Sequence, residues 1–183
     1  INPDELSEGP YRIVSNLPYN IGTALLTGWL NRGWSDGVWQ PSFLSMTLMF
    51  QKEVAQRITA QAGDKHYGRL AVLANWLCDT DLAFELDRQV FVPPPKVMSA
   101  IAHLEPRAQP MADADPEMLG KLTAAAFGQR RKMLRASLKR ICSDTQALLA
   151  EAGIDETARA EVLTIDDFCK LARSLPNYKV GEL

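Results

Sequence analysis

The sequence predicts an α/β fold followed by a small all-α domain, and three observations carry the prediction. An apolar, strand-like run leads into a segment of helical period twice within the first 58 residues. Two more strand-like runs then follow one another across Pro93-Pro94-Pro95, which cannot sit in a sheet interior. From Pro106 to Pro116 prolines and small polar residues form a linker, and no strand signal appears beyond it. These features divide the chain into 1–106 and 107–183.

Tyr11 to Ser15 is short and rich in β-branched residues, as expected of a buried strand, and Pro18 forces the chain to turn. Leu25, Leu26, Trp29 and Leu30 then fall at helical spacing, with Gly33 and Asp36-Gly37 as stop signals. Ser42 to Phe50 reads as a second strand, and Gln51 to Ile58 mixes charged and apolar residues with helical period. After a loop at 63–68, Arg69 to Leu77 is a nearly all-apolar helix suited to an interior. Leu82 to Val92 and Val97 to Glu105 alternate as strands do, which predicts an antiparallel pair closing one edge of an otherwise parallel sheet. In the tail, Pro116 fits the first turn of a helix striped by Leu119, Leu122, Ala126 and Phe127. Phe127, Leu134, Leu138 and Ile141 stripe a second helical segment. Thr164 to Asp167 caps a last helix running to Leu175, with Pro176 just beyond it.

Composition narrows the function classes. At 183 residues and 46% hydrophobic the chain can bury a sizeable core. No apolar run approaches the roughly 18 residues of a membrane span, and no signal segment opens the chain. Cys78, Cys142 and Cys169 are scattered, and with only His66 and His103 beside them they predict reduced thiols in a cytoplasmic protein without a metal site. The chain opens at Ile1, not Met, and reaches a functional-looking loop within about one strand. We therefore expect an N-terminal portion of the protein to be missing from this chain.

That loop is Asn16-Leu17-Pro18-Tyr19. The exocyclic amine of adenine or cytosine is a poor nucleophile, because its lone pair is delocalised into the ring. Two acceptors taking its N–H groups would let the nitrogen turn pyramidal. An Asn carboxamide and a backbone carbonyl stiffened by Pro supply such acceptors. An aromatic at the next position can stack on an extruded base for roughly 1–3 kcal/mol. No general base is needed, since the proton becomes acidic once the amine is alkylated. Asn and Pro are also ordinary turn residues, so the tetrapeptide alone equally reads as a strand-to-helix turn. Phe91 alone reads as the core residue of a strand end.

Five stretches in order shift that balance: Ser15-Asn16-Leu17-Pro18-Tyr19-Asn20, Phe50-Gln51-Lys52-Glu53-Val54, Tyr67-Gly68-Arg69-Leu70, Phe91-x-Pro93-x-Pro95-x-Val97-x-Ser99, and Phe127-x-x-Arg130-Arg131-Lys132-x-Leu134. Together they resemble the ribosomal RNA adenine dimethyltransferase family, of the bacterial KsgA type, over almost the whole chain. The resemblance implies the C-terminal part of a Rossmann-like, S-adenosylmethionine-dependent sheet plus a helical domain. It further implies transfer of two methyl groups to N6 of each of two adjacent adenosines near the 3′ end of small-subunit rRNA. By the same resemblance Asn16 orients the amine, and the Leu17 and Pro18 backbone lines the pocket. Asn16 and Leu17 also face the cofactor, and Tyr19 and Phe91 close on the two faces of the adenine. The partner implied is the small ribosomal subunit, bound by a monomer. No two of the eleven glycines are spaced G-x-G, so the cofactor's glycine-rich loop and its acidic partners are expected upstream of Ile1 and the present chain is expected to be inactive.

Net charge is -2, yet between Phe127 and Ile141 stand Arg130, Arg131, Lys132, Arg135, Lys139 and Arg140 with no acid. Arg131, Arg135 and Lys139 are spaced i, i+4, i+8, as on one helical face. A solvated face normally mixes signs, whereas unmixed cations suit rRNA phosphates. Lys52 is a further RNA-facing candidate, while Glu53 and Arg69 suit structural ion pairs. Two alternatives share these residues: a non-catalytic ribosome- or RNA-binding factor, and an adenine-N6 methyltransferase acting on large-subunit rRNA or DNA.

Overall fold

The computed structural model describes residues 9–178, which form two compact units. The first takes in the described residues through Thr59 together with Leu77–Pro110. The second takes in Ala60–Trp76 and the described residues from Met111 on. Residues 60–76 thus pack with the C-terminal helices, although a division at 106 groups them with the sheet.

The first unit is built on a four-stranded sheet in the order β1-β4-β6-β5. β1 (Tyr11–Asn16) pairs parallel with β4 (Phe43–Gln51), and β6 (Ser99–Pro106) runs antiparallel to both β4 and β5 (Cys78–Leu86). Only β6 is reversed, so the sheet is parallel apart from the strand that returns from the proline segment. Met46, Leu48 and Phe50 of β4, with Ala100, Ala102 and Leu104 of β6, are all but inaccessible to solvent. α2 (Lys52–Thr59) packs on these strands through Ala55 and Ile58. Burial of each large side chain contributes about 1.5–3 kcal/mol.

Between β1 and β4 lie α1 (Gly22–Arg32) and a two-residue-stranded hairpin, β2 (Trp34–Ser35) and β3 (Val38–Trp39). Asp36-Gly37 does more than stop the helix. Both residues have positive φ, 50° and 78°, which makes the tight hairpin turn. The Trp39 ring stacks over Gly33, where a Cβ would lie 2.3 Å from its nearest atom.

Two strand expectations need correction. Among the described residues β1 is the outermost strand and is not buried: its residues alternate between half-buried and exposed, and Val14 is 79% exposed. Apolar composition marks a strand but cannot say whether a neighbour covers it. The run expected as strand from Leu82 to Val92 instead occupies Cys78–Leu86 and ends where Asp87 accepts from the Gln89 N–H to start a single 3₁₀ turn. Phe91 therefore lies in the proline loop.

In the second unit α3 (Arg69–Leu77) is interior as expected, with Ala71, Val72, Ala74 and Trp76 buried. The rest comprises α4 (Pro116–Gly128), α5 (Leu134–Ser137), α6 (Thr145–Glu151) and α7 (Ile165–Ser174). Asp115 caps α4 ahead of Pro116, and Thr164 with Asp167 closes a reciprocal capping box on α7. Fully buried Phe168 stacks on Phe127 at 5.5 Å, and Phe127 meets Tyr67 edge-on at 5.8 Å.

Candidate active site

β1 ends at Asn16, level with Met49 of β4, so the loop that follows leaves the sheet at the carboxyl ends of two parallel strands. In open α/β sheets that is where ligands bind. The turn is held from both sides. The Pro18 carbonyl accepts from the N–H groups of Ile21 and Gly22 at 3.1 and 2.9 Å, which starts α1. Leu17 is buried, and Gly22 lies so close that a Cβ there would stand 3.0 Å from the Phe50 ring and 3.3 Å from Leu17. A side chain at 22 would push the tetrapeptide away from the sheet.

Asn16, Leu17, Pro18, Tyr19 and Phe91 line a single cavity of about 340 Å³ with Met49, Pro93 and Pro95. All five residues singled out from the sequence are brought together, across a separation of 75 positions between Asn16 and Phe91. The volume lies at the lower end of the range for small-molecule clefts, about 300–1,000 Å³. No lining residue is ionisable apart from the Tyr19 phenol, so the cavity favours a neutral ligand with an apolar face. Asn16 is exposed at its end of the strand, and its carboxamide has no hydrogen-bond partner among the described residues.

The sequence reading missed four participants. Met49 enters because it pairs with Asn16. Pro93 and Pro95 form part of the wall as well as a connector, and the Val92-Pro93 peptide is cis. Ser99, which closes the Phe91 motif without an expected role, shares a 2.7 Å hydrogen bond with the Tyr19 hydroxyl.

The basic segment belongs to the second unit and is not one helix. α4 stops at Gly128, a turn follows, and only Leu134–Ser137 is α-helical before a 3₁₀ turn at Leu138–Arg140. The expected alignment of Arg131, Arg135 and Lys139 on one helical face therefore does not form. Gln129 takes φ -129° and ψ 50°, outside the helix, and the Met133 backbone bridges to Arg159. The cations separate accordingly. Arg130 pairs with Glu161 and Arg135 with Glu156, at 3.0 and 2.9 Å. Arg131, Lys132, Lys139 and Arg140 are exposed and make no ion pair among the described residues. Arg131 and Lys132 line a hollow of about 450 Å³ together with Arg130 and Phe127. Lys52 pairs with Glu85, and Glu53 with Arg57.

A partly parallel sheet with a neutral cavity at its carboxyl edge defines an α/β protein of Rossmann-like methyltransferase fold, and solved structures of that fold superpose on it. One is a dimethyladenosine transferase from Plasmodium falciparum, at TM-score 0.76 and 25% identity over 91% of this chain and 66% of the other. Another is the 23S rRNA methyltransferase ErmE, at TM-score 0.63 and 26% identity over 93% and 67%. The chain belongs to the ribosomal RNA adenine dimethylase family, whose model matches residues 4–177. Among curated relatives, the ribosomal RNA small subunit methyltransferase A of Rhizobium meliloti is 54% identical over 94% of this chain and 60% of its own length. The protein of that name from Rhodospirillum rubrum is 49% identical over 93% and 56%. The chain thus spans about three fifths of the length of the curated relatives it matches. Among the described residues no helix is long and apolar enough to cross a membrane, and no group of three or more His, Cys, Asp or Glu residues is placed to hold a metal ion.

Proposed function

We propose that this chain carries the base-holding part of an enzyme that dimethylates N6 of two adjacent adenosines near the 3′ end of small-subunit rRNA. The supporting observation is the single neutral cavity that gathers Asn16, Tyr19 and Phe91. In this reading the target adenine leaves its stack and enters the cavity, where Tyr19 and Phe91 cover its faces. The Asn16 carboxamide oxygen accepts one amine N–H. The Pro18 carbonyl is already taken by Ile21 and Gly22, so the second acceptor is the carbonyl of Leu17. Holding both N–H groups localises the nitrogen lone pair and aims it out of the ring plane.

S-adenosylmethionine, when bound, supplies an electrophilic methyl group. The polar strand end at Asn16 and the Leu17 main chain fit its methionine part, and the sequence offers no glycine-rich loop for the remainder. Arg131, Lys132, Lys139 and Arg140 serve rRNA phosphates, whereas Arg130 and Arg135 hold their own loop. The protein acts as a cytoplasmic monomer on small-subunit particles.

The test is Asn16→Ala in the protein carried at the length of its relatives, assayed on undermethylated small subunits. Methyl transfer is expected to vanish with the circular dichroism spectrum unchanged. Near-normal turnover would overturn the assigned role. Large-subunit particles and adenine-containing DNA in the same assay check the two neighbouring substrate classes, and neither is expected to accept methyl groups.

A further inference from the structure

We propose that Ser99 is a positioning residue that holds the Tyr19 ring in its stacking pose before a base arrives. The inference deepens the base-holding reading above and rests on it. Ser99 is fully buried and opens β6, in register with Gln51 on one side and Leu86 on the other. Its backbone is therefore held by pairing on both sides, to β4 and to β5. Tyr19 sits in a loop with 38% of its surface exposed, and without a tether such a side chain samples several rotamers. The 2.7 Å hydrogen bond joins the loop ring to the fixed strand. Ser99 itself is not part of the cavity lining, so it acts through Tyr19.

A ring fixed beforehand spares the base the cost of ordering it, so stacking begins from a prepared wall. Phenylalanine at 19 would offer the same aromatic face without the tether. The arrangement predicts that the hydroxyl of Tyr19 contributes to turnover although it touches no reacting atom. Particle binding precedes base entry and rests on other contacts, so the effect falls on kcat and leaves KM for the particle unchanged.

The experiment compares Ser99→Ala, Tyr19→Phe, their double variant, Ser99→Thr and Tyr19→Ala in the protein at the length of its relatives. Ser99→Ala and Tyr19→Phe are each expected to lower kcat about 2- to 10-fold, the span of one neutral hydrogen bond. The double variant is expected to lose no more than either single one, and Ser99→Thr to restore turnover. Tyr19→Phe lies at a partly exposed site, so it remains informative where Ser99→Ala fails to fold. Unchanged kcat in Tyr19→Phe, or multiplied losses in the double variant, would overturn the positioning role. Unchanged kcat in Tyr19→Ala would instead overturn the base-holding reading itself.

Discussion

Arg130 donates from Nε to the Glu161 carboxylate at 3.0 Å, and its Nη2 reaches the Lys65 carbonyl at 2.8 Å. The cation thereby fastens the turn after α4 to two other segments of its own unit. Arg130→Ala is expected to lower stability by less than about 1 kcal/mol for so exposed a pair, read as a small drop in thermal midpoint, and to leave the salt slope of RNA binding unchanged. Arg131→Glu with Lys132→Glu is expected to do the reverse. Binding weakens most at low salt, and the slope of log K against log salt shrinks by about one for each phosphate left unneutralised. Equal salt slopes in both variants would refute the division of the cations.

Burial pushes the thiols of Cys78 and Cys169 up from 9.0 to about 12, and it raises Cys142 in the same direction. Tyr67 is raised as well, by burial first and then by the charge of Asp167. All four groups are held neutral in the fold, so their contribution to stability is complete below the ordinary values. It is lost as pH rises from about 9 toward 12. The thermal midpoint is expected to fall across that window, and a disulfide reagent at pH 8 should label none of the three cysteines until denaturant is added. Rapid labelling of the folded chain would contradict the burial.

Gly33 faces the flat of Trp39, and a Cβ would meet three ring atoms within 3.0 Å. The Trp39 indole N–H is committed to the Arg107 carbonyl at 2.9 Å, so the ring cannot easily yield. Gly33→Ala is expected to cost about 1–3 kcal/mol by overpacking, read as a shift in the denaturation midpoint. Gly28→Ala, with open space around it, is expected to be neutral or mildly stabilising.

The α7 capping box gives a local check. Thr164→Ala removes the acceptor for the Asp167 N–H and is expected to cost about 1 kcal/mol. Hydrogen exchange in the first turn of α7 should rise with it, whereas exchange in β4 should not change.

Such caps are legible in the sequence because their determinants are three residues apart. The strand-then-helix alternation is legible for the same reason, and Asn16 to Tyr19 and Phe91 are legible through the family resemblance that their compact motifs carry, whereas Met49 joins the cavity only through strand register. The exposure of β1 among the described residues is not legible, because exposure depends on what lies beside a strand. The break at Gly128 is also hidden. Apolar spacing continues through Phe127, Leu134, Leu138 and Ile141, yet Phe127 ends one helix and the three buried residues after it belong to short α and 3₁₀ turns. Ion pairing across about 20 to 30 residues, as in Arg135–Glu156 and Arg130–Glu161, has no local signature at all. The pairing of Ser99 with Tyr19 is out of reach for the same reason.

The pairing of β1 with β4 shifts register once, between Tyr11 and Arg12, and is regular from Arg12 to Asn16. An added or lost residue at the start of the strand can be absorbed at that irregularity. One placed between Arg12 and Asn16 has no such outlet. It would move the carboxamide one step along the pleat, turn it to the opposite face of the sheet and leave its place at the mouth of the cavity to the residue before it, or to Leu17 after a deletion. The chemistry of this loop is thus tied to chain length over the five residues from Arg12 to Asn16, and tolerance to insertion should drop sharply within that short distance.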